Sequence, residues 1–145
     1  MKPSQNAINL IKKWEGYRSQ AYLCSASVPT IGFGSTRWSN GQKVKMGEVI
    51  TMSMAEQLLM NDITKMSKAL DGLKLNQNQY DALCSFIYNV GVGAFNRSTL
   101  KRLISANPND PLIRSEFMKW KRAGGRVNQG LINRRTDESN LYDKD

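Results

Sequence analysis

The hydrophobic period of this chain changes twice, and that switch constrains its fold more than any other feature. Ile8 and Ile11, with Leu10 and Trp14 beside them, recur at helical spacing behind Ser4, a residue suited to capping a helix. Gly16 stops the pattern, so Glu15 falls at the C-terminal end of the first helix. From Tyr17 to about Gly47, glycines and alternating residues take over. Between Val28 and Gly34, Ile31 and Phe33 are expected on one face of a strand and Thr30, Gly32 and Gly34 on the other. A face made of Thr and Gly alone suits the close approach of a ligand. Ser39 to Gln42 has turn composition.

Helical signals then return. Ser53-Met54-Ala55-Glu56 has the form of a capping box, opening a helix to about Leu70 that Gly72 ends. Asn76 to Val90 carries Leu83, Phe86, Ile87 and Val90 at helical spacing, which predicts a buried central helix. Gly91-Val92-Gly93 breaks it, and a further helix is expected over about 98–105. Asp110-Pro111 is expected to open the next helix and Gly124-Gly125 to close it. A last helix is expected over about 131–141, with a frayed tail beyond.

The pattern predicts an α+β fold of two lobes in one domain, 1–145. A small sheet occupies about 15–52 and a mainly helical lobe about 53–145. The first helix packs on the helical lobe, a long helix joins the two, and a groove lies at the junction.

The net charge of +9 favours a polyanionic partner, and wall polymer, membrane surface and nucleic acid all qualify. The chain has no histidine, which excludes Ser–His and Cys–His nucleophilic catalysis and histidine-ligated zinc. Two cysteines, Cys24 and Cys84, make no disulfide framework, and reduced thiols are expected. What remains is carboxylate chemistry. Glycosidic cleavage needs a carboxylic acid that keeps its proton near neutral pH. The negative end of a helix dipole, with Trp14 adding desolvation, favours the neutral form of Glu15.

Eight residues separate Glu15 from Cys24, and five separate Cys24 from Thr30. Trp14-Glu15-Gly16 flanks the set at one end and Thr30-Ile31-Gly32-Phe33-Gly34 at the other. In these stretches the chain resembles the phage-type lysozymes, which place Glu, then Asp or Cys, then Thr at this spacing. Asn76 to Leu83, Ser85 to Gly91, Phe95, Ser98 to Leu100, and Gly130 to Arg135 with Glu138 extend the resemblance over nearly the whole chain. It implies hydrolysis of the β-1,4 bond between N-acetylmuramic acid and N-acetylglucosamine in peptidoglycan, with inversion.

The resemblance implies Glu15 as general acid, Thr30 as the residue holding the attacking water, and Cys24 as its partner. A neutral thiol does less than a carboxylate, and a cation such as Arg18 or Arg37 is the expected means of activating it. Gly32, Gly34, Asn89 and Arg134 are candidate substrate contacts. In the family an arginine of the closing helix lies near the acid, here Arg134 before Arg135. Trp38 fits a core or a sugar contact, while Phe86, Phe95 and Trp120 fit the core. No cofactor or metal is expected.

Peptidoglycan is the expected partner, with no nucleic acid and no stable membrane insertion, for a monomer. Met1 to Gly16 has no apolar run of signal length, so the host cytoplasm is the expected location, with a holin for release. Two other functions fit parts of the pattern. A lytic transglycosylase cleaves the same bond without water and needs no water-holding Thr. A non-catalytic basic module binding the wall would use the charge alone.

Overall fold

Ser4 is the cap of the first helix in the computed structural model, which covers residues 1–145. Its side chain accepts from the Asn6 N–H, and α1 runs Gln5–Glu15. The Ser4 backbone N–H and hydroxyl both donate to Asp81, fastening the start of α1 to the central helix. Gly16 adopts φ 72° and ends α1, a conformation that favours glycine. Ala7, Ile8 and Ile11 are buried; Leu10 and Trp14 are half-buried.

β1 (Arg18–Leu23) pairs antiparallel with β2 (Pro29–Gly32), with an irregularity between Arg18 and Tyr22. Bridges Gln20–Val49 and Arg37–Lys43 widen the sheet. β2 is shorter than its sequence pattern. The chain turns back after Gly32, and Ile31 and Ser35 exchange backbone hydrogen bonds at 2.8 and 3.0 Å. Thr30, Ile31, Gly32 and Phe33 are all buried, so the face expected to be open is closed at Gly32. A Cβ there would lie 3.2 Å from that of Ala55. The helix after the sheet, and no groove, fills the space that Gly32 leaves. Its assignment as a substrate contact is corrected accordingly.

That helix, α2, spans Met52–Met66, and its cap is Thr51, whose hydroxyl accepts from the Met54 N–H at 3.2 Å. Ser53 lies inside the helix, so the capping box read there is corrected. Glu56 reaches instead to Lys12 of α1, 2.5 Å away. A 3-10 turn, Ser67–Leu70, completes the stretch before Gly72.

α3 (Gln77–Val90) is the central helix, opened by a reciprocal capping box between Asn76 and Gln79. Every residue from Gln79 to Ile87 is buried. α3 packs against α1, α2 and α7. The expected break at Gly91 is a change of direction, since α4 (Val92–Asn96) follows at once and buries Phe95. α5 spans Thr99–Ala106 behind the Ser98 cap, and α6 spans Ile113–Met118. Gly124-Gly125 closes no helix. It is the turn between β3 (Arg122–Ala123) and β4 (Arg126–Val127), an unforeseen hairpin. α7 spans Gln129–Tyr142, capped by Asn128. The tail is tied down, with Asp143 on Arg114 and the last two carbonyls accepting from Asn78.

One apolar cluster runs from Ile31, Phe33, Val44 and Ile50 of the sheet through α2 and α3 to Phe117 and Tyr142. Phe86 is its centre on the helical side, with Phe117 and Trp120 edge-on at 5.4 Å. Elements from both lobes thus converge where α1 ends.

Candidate active site

Because α1 stops at Gly16, Glu15 projects from a fixed helix end into the junction between sheet and helices. Two cavities meet there, of about 480 and 550 Å³. The first is walled by Gly34, Arg37, Trp38, Asp62, Lys65 and Tyr88, the second by Trp14, Trp120, Arg122, Leu131 and Arg134. Glu15 and Asn89 alone line both. The result is a groove with a carboxylate at its midpoint.

The carboxylate is held from below. Arg134 Nη1 lies 2.6 Å from Glu15 Oε1. The Arg134 side chain is 4% exposed and that of Glu15 24%, so the acid faces the groove and the cation lies beneath it. Arg134 Nε donates to Glu138 Oε2 at 3.2 Å, and its Nη2 donates to the Ser85 carbonyl at 3.1 Å. Every Arg134 nitrogen is on protein atoms, which holds Glu15 in place, and Arg134 also lines the second cavity. The choice of Arg134 over Arg135 as the arginine facing the acid agrees with this geometry.

Arg135 turns the other way. Its Nε lies 2.8 Å from Glu138 Oε1, its Nη2 donates to Asn89 Oδ1 at 2.8 Å, and its guanidinium sits 4.9 Å from the Phe86 ring centre. Arg135 and Glu138 are fully buried, and the Ser85 hydroxyl donates to Glu138 at 2.6 Å. Burial pushes the Glu138 carboxyl up from the ordinary carboxylate range, while the guanidiniums of Arg135 and Arg134 pull it back. Two cations lie within 3.2 Å of it. Glu15, Arg134, Glu138 and Arg135 thus form a chain of alternating sign.

Sequence reasoning placed Glu138 in a motif and gave Ser85 and Tyr88 no role at the site. The Tyr88 hydroxyl donates to the Phe33 carbonyl at 2.8 Å and so clips α3 to the sheet. Gly34 is needed beside it: φ is 104°, and a Cβ would lie 3.2 Å from the Tyr88 oxygen and 3.7 Å from Glu15 Oε2. Gly34 and Asn89 both line the groove. Trp38 does so while donating through Nε1 to Glu48 at 3.1 Å.

Cys24 and Thr30 are brought to each other at the hairpin, but neither lines the two cavities. The thiol is pushed down by the N–H groups of Val28 and Ala26, then by the Thr30 hydroxyl. That hydroxyl also lies 2.9 Å from the Val28 carbonyl, so its one proton has two acceptors. The cations expected to activate the thiol are engaged elsewhere. Arg18 stacks on Tyr22, and Arg37 donates to the Gly41 carbonyl. Burial pushes Cys84 in the opposite direction. Iodoacetamide at neutral pH is therefore expected to label Cys24 in the folded protein and to reach Cys84 only after unfolding. Peptide mass mapping with equal labelling of both in the native state would contradict this.

Residues 12–138 match the family described as phage lysozyme. The chain belongs to the phage lysozyme family.

Among phage lysozyme relatives, the endolysin of Salmonella phage P22 is 41% identical over 127 residues, 86% of each chain. A solved P22 lysozyme variant matches with a TM-score of 0.87 over 98% of both chains, at 39% identity. The endolysin of Bacillus phage PZA is 41% identical over 98% of this chain, which spans 55% of that relative's length. The muramidase domain of SpmX from Asticaccaulis excentricus matches over 99% of both chains, with a TM-score of 0.83 and 28% identity. The α+β architecture read from the sequence is that of these phage lysozyme structures. No helix is long and apolar enough to cross a membrane.

Proposed function

We propose that this chain is a peptidoglycan muramidase of the endolysin type, hydrolysing the β-1,4 bond between N-acetylmuramic acid and N-acetylglucosamine during host lysis. The observation that carries this reading is Glu15 at the point where the two cavities meet, with one carboxylate oxygen on Arg134. A glycan laid along the groove passes the other oxygen, which gives its proton to the leaving glycosidic oxygen. The family resemblance, and not the lining of the two cavities, assigns to Thr30 and Cys24 the water that attacks the sugar from the far side. Their mutual contact at the hairpin, and turn amides that stabilise a thiolate, support that pairing. The lysozyme and muramidase names of the similar structures support the substrate class. A holin delivers such an enzyme from the host cytoplasm to the wall, and it works there as a monomer.

Incubation with purified peptidoglycan tests the reading. New reducing sugar ends are expected to accumulate without new free amino groups. Amino groups appearing without reducing ends would mean amide cleavage and overturn it. Cys24→Ser is expected to slow turnover several-fold, less than loss of Glu15, because a hydroxyl still holds water but makes no anion at neutral pH. Turnover unchanged by the substitution would make Cys24 structural.

The charge has a separate consequence. With a net +9, lysis of whole cells is expected to fall several-fold as salt rises from about 0.05 to about 0.5 M, where the screening length shrinks to a few ångströms. A flat salt profile in a turbidity assay would assign the charge to solubility alone.

A further inference from the structure

The buried Arg135 has a task that positioning of Glu15 does not explain. One of its terminal nitrogens, which also reaches Glu138 Oε2 at 3.4 Å, donates to Asn89, a groove residue. Guanidinium nitrogens only donate, so the Asn89 atom they meet is the amide oxygen. That contact sets the orientation of the amide. The amide nitrogen is turned away from Arg135 and makes no hydrogen bond to any protein acceptor, while Asn89 itself is exposed. Asn89 is the one residue besides Glu15 that lines both cavities, so it lies with Glu15 where they meet.

We infer that Arg135 is a positioning residue that holds the Asn89 amide with its two N–H groups toward the groove, where they take the carbonyl oxygen of an acetamido group on the glycan. The inference rests on the muramidase reading and deepens it by naming Asn89, held by Arg135, as the group that meets the acetamido oxygen beside the scissile bond. The ligand chemistry follows from the donor set. Two N–H donors with no acceptor suit an oxygen that only accepts. Saccharide hydroxyls both give and take, whereas the acetamido carbonyl only takes. Rigidity supports the assignment. Arg135 is fully buried, packs on the Phe86 ring and is anchored by Glu138 at 2.8 Å, so the amide is fixed before substrate arrives.

The test compares N-acetylated peptidoglycan with the same material chemically de-N-acetylated. The wild type is expected to favour the acetylated form about tenfold in kcat/KM, the worth of one good hydrogen bond in a desolvated groove. Asn89→Asp keeps the acceptor for Arg135 and replaces both donors with an acceptor. It is expected to unfold at or above the wild-type temperature and to bring the preference within about twofold. De-N-acetylation exposes ammonium groups that the new carboxylate attracts, so Asn89→Leu, uncharged and without donors, is measured beside it and is expected to lower the ratio as far. Arg135→Lys keeps the cation beside Glu138 but loses the fork, and is expected to lower the same ratio.

An undiminished preference in Asn89→Leu would overturn the acetamido contact, and one in Arg135→Lys would overturn the positioning by Arg135. A wild type that opens neither glycan would overturn the muramidase reading, a failure distinct from either.

Discussion

The Glu15→Gln variant is expected to fold as the wild type does and to release reducing ends from peptidoglycan about 10²–10⁴-fold more slowly, the usual worth of a general acid. Gln keeps the shape of the side chain and an oxygen at Oε1 for Arg134, and it removes the proton that the leaving oxygen needs. Arg134 retains Glu138 and the Ser85 carbonyl, so the pocket beneath stays paired. The stability change is expected to be about 1 kcal/mol or less, since one charged contact is weakened at a partly exposed position. A melting curve and a rate on the same preparation check both halves. Near-normal turnover in a folded Gln variant would remove Glu15 from the chemistry.

The Glu138→Gln variant is expected to show the largest loss of stability. Glu138 is the anion between Arg134 and Arg135, with no solvent exposure. Neutralising it leaves two guanidiniums in the interior with less than their compensating charge. Breaking such a buried arrangement from one side costs about 3–5 kcal/mol. For a chain of this size that lowers the melting temperature by roughly 10 °C or more. Turnover of the folded fraction is also expected to fall, because Arg134 loses the contact that fixes it under Glu15. Thermal unfolding followed by circular dichroism is the check. A shift of less than about 2 °C would mean the two arginines need no anion between them, contrary to the cost of unpaired buried charge.

Local signals were legible where local physics decides. Ser4 and Gly16 bound the first helix as their side chain and backbone preferences dictate, and Glu15 is its last residue. Asn76 caps the central helix, and the turn at Gly41 lies between paired residues. Where two local signals compete, sequence alone chose wrongly. Thr51 and Ser53 both suit a cap, and only packing against the sheet selects Thr51. Gly124-Gly125 ends a helix and turns a hairpin equally well, and here it turns the hairpin between Arg122 and Val127.

Spacing and resemblance pointed to Glu15, Gly34, Asn89 and the buried Arg134, but not to the burial of the charged members. Spacing placed Glu15, and Gly34 and Asn89 do line the groove. Gly32 differs because Ala55, far along the chain, covers it. Nothing local shows that Arg134, Arg135 and Glu138 are buried, since charged residues on a helix ordinarily face water. Their burial is set by α7 packing on α3, which the period of α7 does not announce.

The most direct test is the fate of the water oxygen. Purified peptidoglycan is digested in ¹⁸O-labelled water and the muropeptides are read by mass spectrometry immediately. Muramic acid with a free reducing end and a single heavy oxygen at the new anomeric position is the outcome that hydrolysis at Glu15 requires. Products ending in anhydromuramic acid, with no label, would contradict it.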